Sequence, residues 1–364
     1  MNAPAHSAPP SFPNWRSRLL LSRAFRRQHY LPPAPPWPVP NLLSWYERRV
    51  LRIDTAGVII DRPVFLVGYP RSGTTLVQDI LCAHEQVAYF TNLMNQHRIG
   101  FCAAERLRRK LRLDVHGERY LRDSIEVSPG SPSEAPRFWG RWFRIRHDTL
   151  DYDPLPAGAL SPAERAVIHD TIRRVLWCFD GGAQRFFAKF LLAPALVPAL
   201  LDLFPDARFI HVIRDARMAA NSLLKIYRVH RAQDLQVRGR RARAHPVVLY
   251  PRVPCLAEYA RRYGLDDIRT PARLWNDVVA TLDALEPALP ACLTVRYEDI
   301  LARPTESVAM LLEFCQLPPP DPGNRAFAQK VGEIGRVRHA NAYAHFETIT
   351  DICRDNLKRH GYDA

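Results

Sequence analysis

The octapeptide Gly68-Tyr69-Pro70-Arg71-Ser72-Gly73-Thr74-Thr75 constrains this chain more than any other stretch. It follows a short β-branched and aromatic run, Val64-Phe65-Leu66-Val67. It opens a segment, Thr74 to Ala83, whose Leu76, Val77, Ile80 and Leu81 share one helical face. Glycines at the two ends let the backbone curl so that successive N–H groups point inward. The hydroxyls of Ser72, Thr74 and Thr75 and the helix N-terminus add further donors for an anion. This is P-loop construction in the strand–loop–helix setting that gives such a motif its meaning. The pattern departs from G-x-x-x-x-G-K-[ST], because the position after the second glycine is Thr74 rather than Lys. The fixed positive charge has moved inside the loop, to Arg71.

Two further apolar runs read as buried strands that feed helices. Phe209-Ile210-His211-Val212-Ile213 leads into Ala216 to Tyr227. Leu293-Thr294-Val295 leads into a helix after Pro304, with Leu311, Leu312 and Phe314 as core candidates. Strand–loop–helix repeated in this way predicts an α/β fold, a P-loop NTPase-like parallel sheet with helices on both faces. The 364 residues, 47% hydrophobic, supply the core. Asp151 to Phe187 reads as a helical insertion and Arg238 to Arg243 as a solvated loop.

Residues 1–40 read as a flexible, Pro-rich arm and residues 41–364 as one domain. Within the arm, residues 1–14 are small and disordered in character. Trp15 to Arg27 reads as a short basic amphipathic helix, suited to a peripheral membrane contact, to its own domain or to a second subunit. Leu31 to Pro40, with six prolines in ten residues, reads as a stiff extended tether. Seven scattered cysteines without a C-x-x-C pair argue against a disulfide framework or a structural zinc site. With no signal-peptide core and no apolar run of about 20 residues, they point to a cytoplasmic protein. The net charge is +14, carried almost wholly by arginine. That suits bidentate recognition of phosphate and sulfate, but charge alone does not choose among nucleic acid, acidic lipid, an anionic cofactor and plain solvation.

Val64 to Ala83, with Pro-Arg-Ser-Gly-Thr-Thr-Leu at its centre, resembles the 5′-phosphosulfate loop of sulfotransferases that use 3′-phosphoadenosine-5′-phosphosulfate (PAPS). The resemblance is to the bacterial branch that is also similar to tyrosylprotein sulfotransferases. A second match is Phe204 to Asp215, followed by Ser222 eight residues after Arg214. In the family that Arg and Ser bind the 3′-phosphate, and the physics agrees: a strand-end Arg and a hydroxyl on the next helix can converge on one phosphate. Ala216 stands where the family has Pro, and Met218 where it often has an acid. A third match, Leu293 to Ile300 with Pro304 beyond, resembles the V-x-Y-E-D-L block and reads as scaffold. The resemblance runs from about Pro63 to Tyr362. It implies sulfuryl transfer from PAPS to an acceptor hydroxyl or amine with release of PAP, and a cofactor site formed by Arg71, Ser72, Gly73, Thr74, Thr75, Arg214 and Ser222. The moving group carries one negative charge, which Arg or Lys can stabilise, so no metal is expected.

For the chemistry, Arg71 is placed to steady the transferring group. Lys189, one of five lysines, stands where the family carries a Lys and is a second contact; the plainer reading is a lysine snorkelling from an apolar helix. The tyrosylprotein enzymes have a Glu pair soon after the loop helix, where this chain has Thr91-Asn92. The bacterial S-P-x-E block is Ser131-Pro132-Ser133-Glu134, making Glu134 the candidate base, partly desolvated by Phe138 and Trp139. Its alternative role is an acid in the first turn of a helix capped by Ser131 or Ser133. His84 and His97 are runners-up. A P-loop kinase would lack the lysine for its β- and γ-phosphates. A nucleic-acid module built on Arg238 to Arg243 would lack interleaved aromatics, so no nucleic acid is expected. Carbohydrate, lipid, phenol and peptide acceptors remain open, as does the oligomeric state.

Overall fold

Five strands form the centre of the computed structural model: β1 (Val64–Gly68), β2 (Val87–Tyr89), β3 (Arg185–Lys189), β4 (Arg208–Ile213) and β5 (Cys292–Arg296). They pair in the order β2-β3-β1-β4-β5, every pairing parallel. Val64 lies opposite both Phe187 and Arg208, which fixes β1 at the middle of the register. The structure describes residues 10–26, 29–30, 32–121, 123, 125–145, 150, 155–179, 182–191, 194–238, 250–336 and 343–362.

Successive side chains on a strand point to opposite faces, and each face needs its own apolar cover. Six helices matter here: α1 (Thr74–Cys82), α2 (Pro162–Cys178), α3 (Ala216–Arg238), α4 (Arg269–Leu285), α5 (Pro304–Phe314) and α6 (Phe346–Arg359). Phe65, Val67, Phe186, Ala188 and Phe209 join a core with residues of α2, α3, α4 and α6. Val64, Leu66, Phe187, Ile210 and Val212 join a second core with Val77, Ile80 and Leu81 of α1 and Leu311 and Leu312 of α5. Helices therefore cover both faces of a parallel sheet.

The three strands legible in the sequence are present, each extended by one or two residues. β2 and β3 were not anticipated. The Asp151–Phe187 stretch is helical only over α2 among its described residues and then enters β3, so Lys189 ends a strand rather than lying on an apolar helix. The tether reading of Leu31 to Pro40 also changes. A helix begins at Pro38, because proline in a first turn lacks only an N–H that has no helical acceptor anyway. Residues 1–9 and 239–243 lie outside the described residues.

All parallel strands end on one edge, and the β1 loop sits where connections leave toward β2 on one side and β4 on the other. Ligands of open parallel sheets bind at such a point.

Candidate active site

The loop after β1 owes its shape to three unusual φ angles. Gly68 has φ +143°, and a Cβ there would fall 2.5 Å from the Val212 carbonyl oxygen on β4. Gly73, at φ +88°, precedes α1, and a Cβ there would strike the Tyr297 ring at 2.1 Å. Arg71 itself is left-handed at φ +73°, a strain more often found at functional loops than elsewhere. The first amides of α1 face the loop without helical acceptors. Ser72 is fully buried, and its hydroxyl has no hydrogen-bond partner among the described residues. A buried, unpaired donor in a curled loop at a helix N-terminus fits an anionic group.

The predicted residues converge on this loop. Arg71 Nε donates to Ser222 Oγ at 3.1 Å and its Nη1 to Asp123 Oδ2 at 2.8 Å. Arg214, one residue past β4, donates to the Arg71 carbonyl at 3.2 Å and lies over the Tyr297 ring, 4.7 Å from its centroid. The Arg214 Nε is buried without a hydrogen-bond partner among the described residues. Trp275 Nε1 donates to the Arg214 carbonyl at 3.1 Å and pins the strand end.

Lys189 and Glu134 meet on the other side of the loop. The Lys189 Nζ lies 2.9 Å from Glu134 Oε1 and donates to Thr75 Oγ1 at 3.2 Å. The lysine side chain is 4% exposed and the glutamate side chain 35%. Glu134 arrives there because residues 128–133 lie along the chain that leaves β2. Asn92 N–H donates to the Ser131 carbonyl, Leu93 N–H to the Pro129 carbonyl, and Ser133 N–H to the Phe90 carbonyl.

Glu134 is not a helix-capping acid. The helix Pro136–Trp142 starts two residues later, with Ala135 at φ +47° as its cap residue, and the Ser133 hydroxyl accepts the Ala135 N–H. Phe138 and Trp139 belong to that helix. Both are buried in the core, where Phe138 stacks on Phe90 with ring centroids 4.5 Å apart.

Of the two runners-up, His84 is engaged elsewhere. His84 is buried; its Nδ1 accepts the Gln86 N–H, and its Nε2 lies 3.0 Å from the Pro318 carbonyl oxygen. Burial, helped by nearby Arg137, lowers the pKa of His97 to about 4.

Sequence reasoning missed Arg119 and Asp123. Arg119 donates to Asp123 Oδ1 at 2.7 Å, so one carboxylate, 4% exposed, is shared by two arginines. Burial opposes its ionisation, but Arg119 and Arg71 outweigh that and hold its pKa below the usual range. No motif marks these two residues, and only the fold brings them to the loop. Tyr297, read as scaffold, also lies at the loop, under Arg214 and against Gly73. Its neighbour Glu298 is the scaffold, accepting the Asp215 N–H at 3.2 Å and the Tyr362 hydroxyl at 2.8 Å. Among the described residues no group of three or more His, Cys, Asp or Glu is placed to hold a metal.

This geometry coincides with a family match. Residues 63–321 fit the model described as "Sulfotransferase family". The chain belongs to the sulfotransferase family. Membership carries the reaction class with it, PAPS-dependent sulfuryl transfer. No curated protein matches the sequence. Among solved structures, the Mycobacterium avium sulfotransferase STF9 superposes with a TM-score of 0.53 at 16% identity, covering 88% of this chain and 82% of that one. This likeness supports the fold. Sulfotransferase STF1 of Mycobacterium tuberculosis H37Rv gives a TM-score of 0.44 at 14% identity, covering 87% and 82%.

Proposed function

We propose that this sulfotransferase holds the 5′-phosphosulfate of PAPS with Arg71, Ser72, Gly73, Thr74 and Thr75, and the 3′-phosphate with Arg214 and Ser222. Glu134 takes the acceptor's proton as the acceptor oxygen or nitrogen bonds to sulfur. The bond from sulfur to the bridging oxygen breaks, and PAP leaves with the electron pair. Lys189 and Arg71 offset the charge that grows on that bridge and on the sulfuryl oxygens. The observation that carries this reading is the Lys189 ammonium, bonded at once to a loop hydroxyl and to Glu134. It joins the donor seat to a carboxylate facing the acceptor side.

Residues 41–364 act as the catalytic domain, with residues 1–40 as an arm. The arm is tethered where described: Ser11 bridges to His116, and Asn14 donates to the Arg112 carbonyl at 2.8 Å. A cytoplasmic setting is supported by seven free cysteines, of which burial pushes Cys315 and Cys353 up to about 12.

The test is transfer from labelled PAPS to a panel of carbohydrate, lipid, phenol and peptide acceptors, read by mass spectrometry. PAP binding is followed in parallel by melting temperature. Arg214→Ala should weaken PAP far more than adenosine 5′-phosphosulfate, which has no 3′-phosphate. Equal losses for the two ligands would remove Arg214 from the 3′ site.

A further inference from the structure

The first 53 residues contain eight arginines and one glutamate, half of the chain's net charge of +14. They precede the family match, which begins at residue 63. The one glutamate, Glu47, is turned inward. Its carboxylate accepts the Cys102 and Ala103 N–H groups at 2.7 and 3.0 Å and pairs with Arg174. Within these 53 residues no other acid is present, and beyond them Asp170 shares a pocket with Arg48 and Arg52.

Those contacts settle how the helix Pro38–Tyr46, which runs on into the wider turn Glu47–Leu51, lies on the body. Leu43 packs so closely on Gly100 that a Cβ there would fall 2.4 Å from the Leu43 Cβ. Leu42 and Trp45 then face out, with Trp37 just ahead of the helix and Arg48, Arg49 and Arg52 just beyond it, all exposed. Trp37 is 84% exposed and Trp45 55%. The helix Trp15–Leu21 repeats the pattern, with Trp15 70% exposed, Leu19 and Leu20 open to solvent, and Arg16 and Arg18 between them. Three of the chain's seven tryptophans thus stand in water beside leucines and arginines.

We infer that the segment Trp37–Arg52, with the helix Trp15–Leu21, is a docking surface for an anionic lipid bilayer. Tryptophan and leucine enter the interfacial layer while arginine heads meet lipid phosphates. A second copy of this chain is a poor occupant, because a two-fold contact would set this basic face against itself. Single-stranded nucleic acid would satisfy the arginines and stack on the tryptophans, but would leave Leu19, Leu20 and Leu42 in water.

The test is co-sedimentation of the full chain with phosphatidylcholine vesicles, with and without phosphatidylglycerol. The expected result is binding that requires phosphatidylglycerol and weakens as salt rises. The double substitution Leu42→Glu, Trp45→Glu should lower the bound fraction about tenfold or more. The PAP-induced melting shift, whose residues lie elsewhere, should be unchanged, so failure here and failure of the donor-site assignment remain distinct. Arg48→Glu with Arg49→Glu is a second variant that leaves the apolar positions intact and should also release the protein. Absence of sedimentation, equal binding to both vesicle types, or wild-type binding by both double variants would overturn the inference. So would a dimer in solution that either variant dissolves, or an RNA complex that either variant abolishes without a change in vesicle binding.

Discussion

Glu134→Gln separates a base from a charge partner. Glutamine keeps the shape and a carbonyl oxygen able to accept from Lys189, but removes the negative charge 2.9 Å from a lysine that is 4% exposed. Breaking a buried ion pair outright costs about 3–5 kcal/mol. Here the glutamate is about one-third exposed and the hydrogen bond survives, so about 1–2 kcal/mol is expected for the free enzyme. That corresponds to a few degrees of melting temperature in a chain of this size. On the proposed assignment, bound PAP supplies the missing negative charge. The PAP-induced melting shift should therefore be at least as large in the variant as in the wild type.

Turnover should respond differently. Loss of a general base typically costs 10²–10⁴-fold in kcat. The assay is single-turnover transfer from labelled PAPS across pH, with PAP affinity measured in parallel. Turnover within a few-fold of wild type would refute the assignment and reduce Glu134 to a holder of Lys189.

Arg71→Ala should lower kcat by about 10²–10³ and change PAP affinity less, with transfer in both enzymes surviving chelation by EDTA; chelation that stops transfer until Mg²⁺ is restored would overturn the charge argument. Gly73→Ala meets both a φ of +88° and the Tyr297 ring at 2.1 Å, so it should cost at least about 1–2 kcal/mol and weaken PAP binding through Arg214, which packs on the same ring. An unchanged urea midpoint would show that the loop is looser than described. Burial pushes His97 and His211 down to about 4, so both are neutral in the folded chain at neutral pH. The unfolded chain takes up these protons first, near pH 6.5; the stability is thus fully present above that pH and lost as pH falls toward 4. A shift of this size is worth about 3 kcal/mol per histidine, and His211→Gln should lessen the fall of the urea midpoint between pH 6.5 and 4 by about half, where a wild-type midpoint already flat would refute the reading.

The parts of the fold legible in the sequence are those whose cause is local. β1, β4 and β5 are apolar runs that feed helices, and the apolar face of α1 repeats at helical spacing. β2 is only three residues long. β3 begins with Arg185 and ends with Lys189, and so reads as a poor strand. Its charged ends are satisfied from far along the chain: Arg185 donates to the Asp61 carbonyl and carboxylate, and Lys189 meets Thr75 and Glu134. Composition cannot reveal partners more than fifty residues away. The site divides in the same way. The loop from Gly68 to Thr75 was readable because one turn does most of the work. Asp123 and Arg119 were not, since nothing near them in sequence says that a 4% exposed carboxylate will sit beside Arg71.

That hidden carboxylate bears on how the proposed donor would bind. Each cation assigned to the donor already has a protein group in the place of an anion: Asp123 for Arg71, Glu134 for Lys189, and the Tyr297 ring with the Arg71 carbonyl for Arg214. The Ser72 hydroxyl is left over. Donor binding is then an exchange of carboxylates for phosphate and sulfate oxygens rather than the filling of a bare cationic hole. Such an exchange gains less free energy than the count of arginines suggests, because each contact formed is offset by one released. It also frees Glu134 from Lys189 as the phosphosulfate takes the ammonium. On this reading the carboxylate becomes available to an acceptor proton only when the donor is in place, and donor binding should precede productive acceptor binding in the kinetic order.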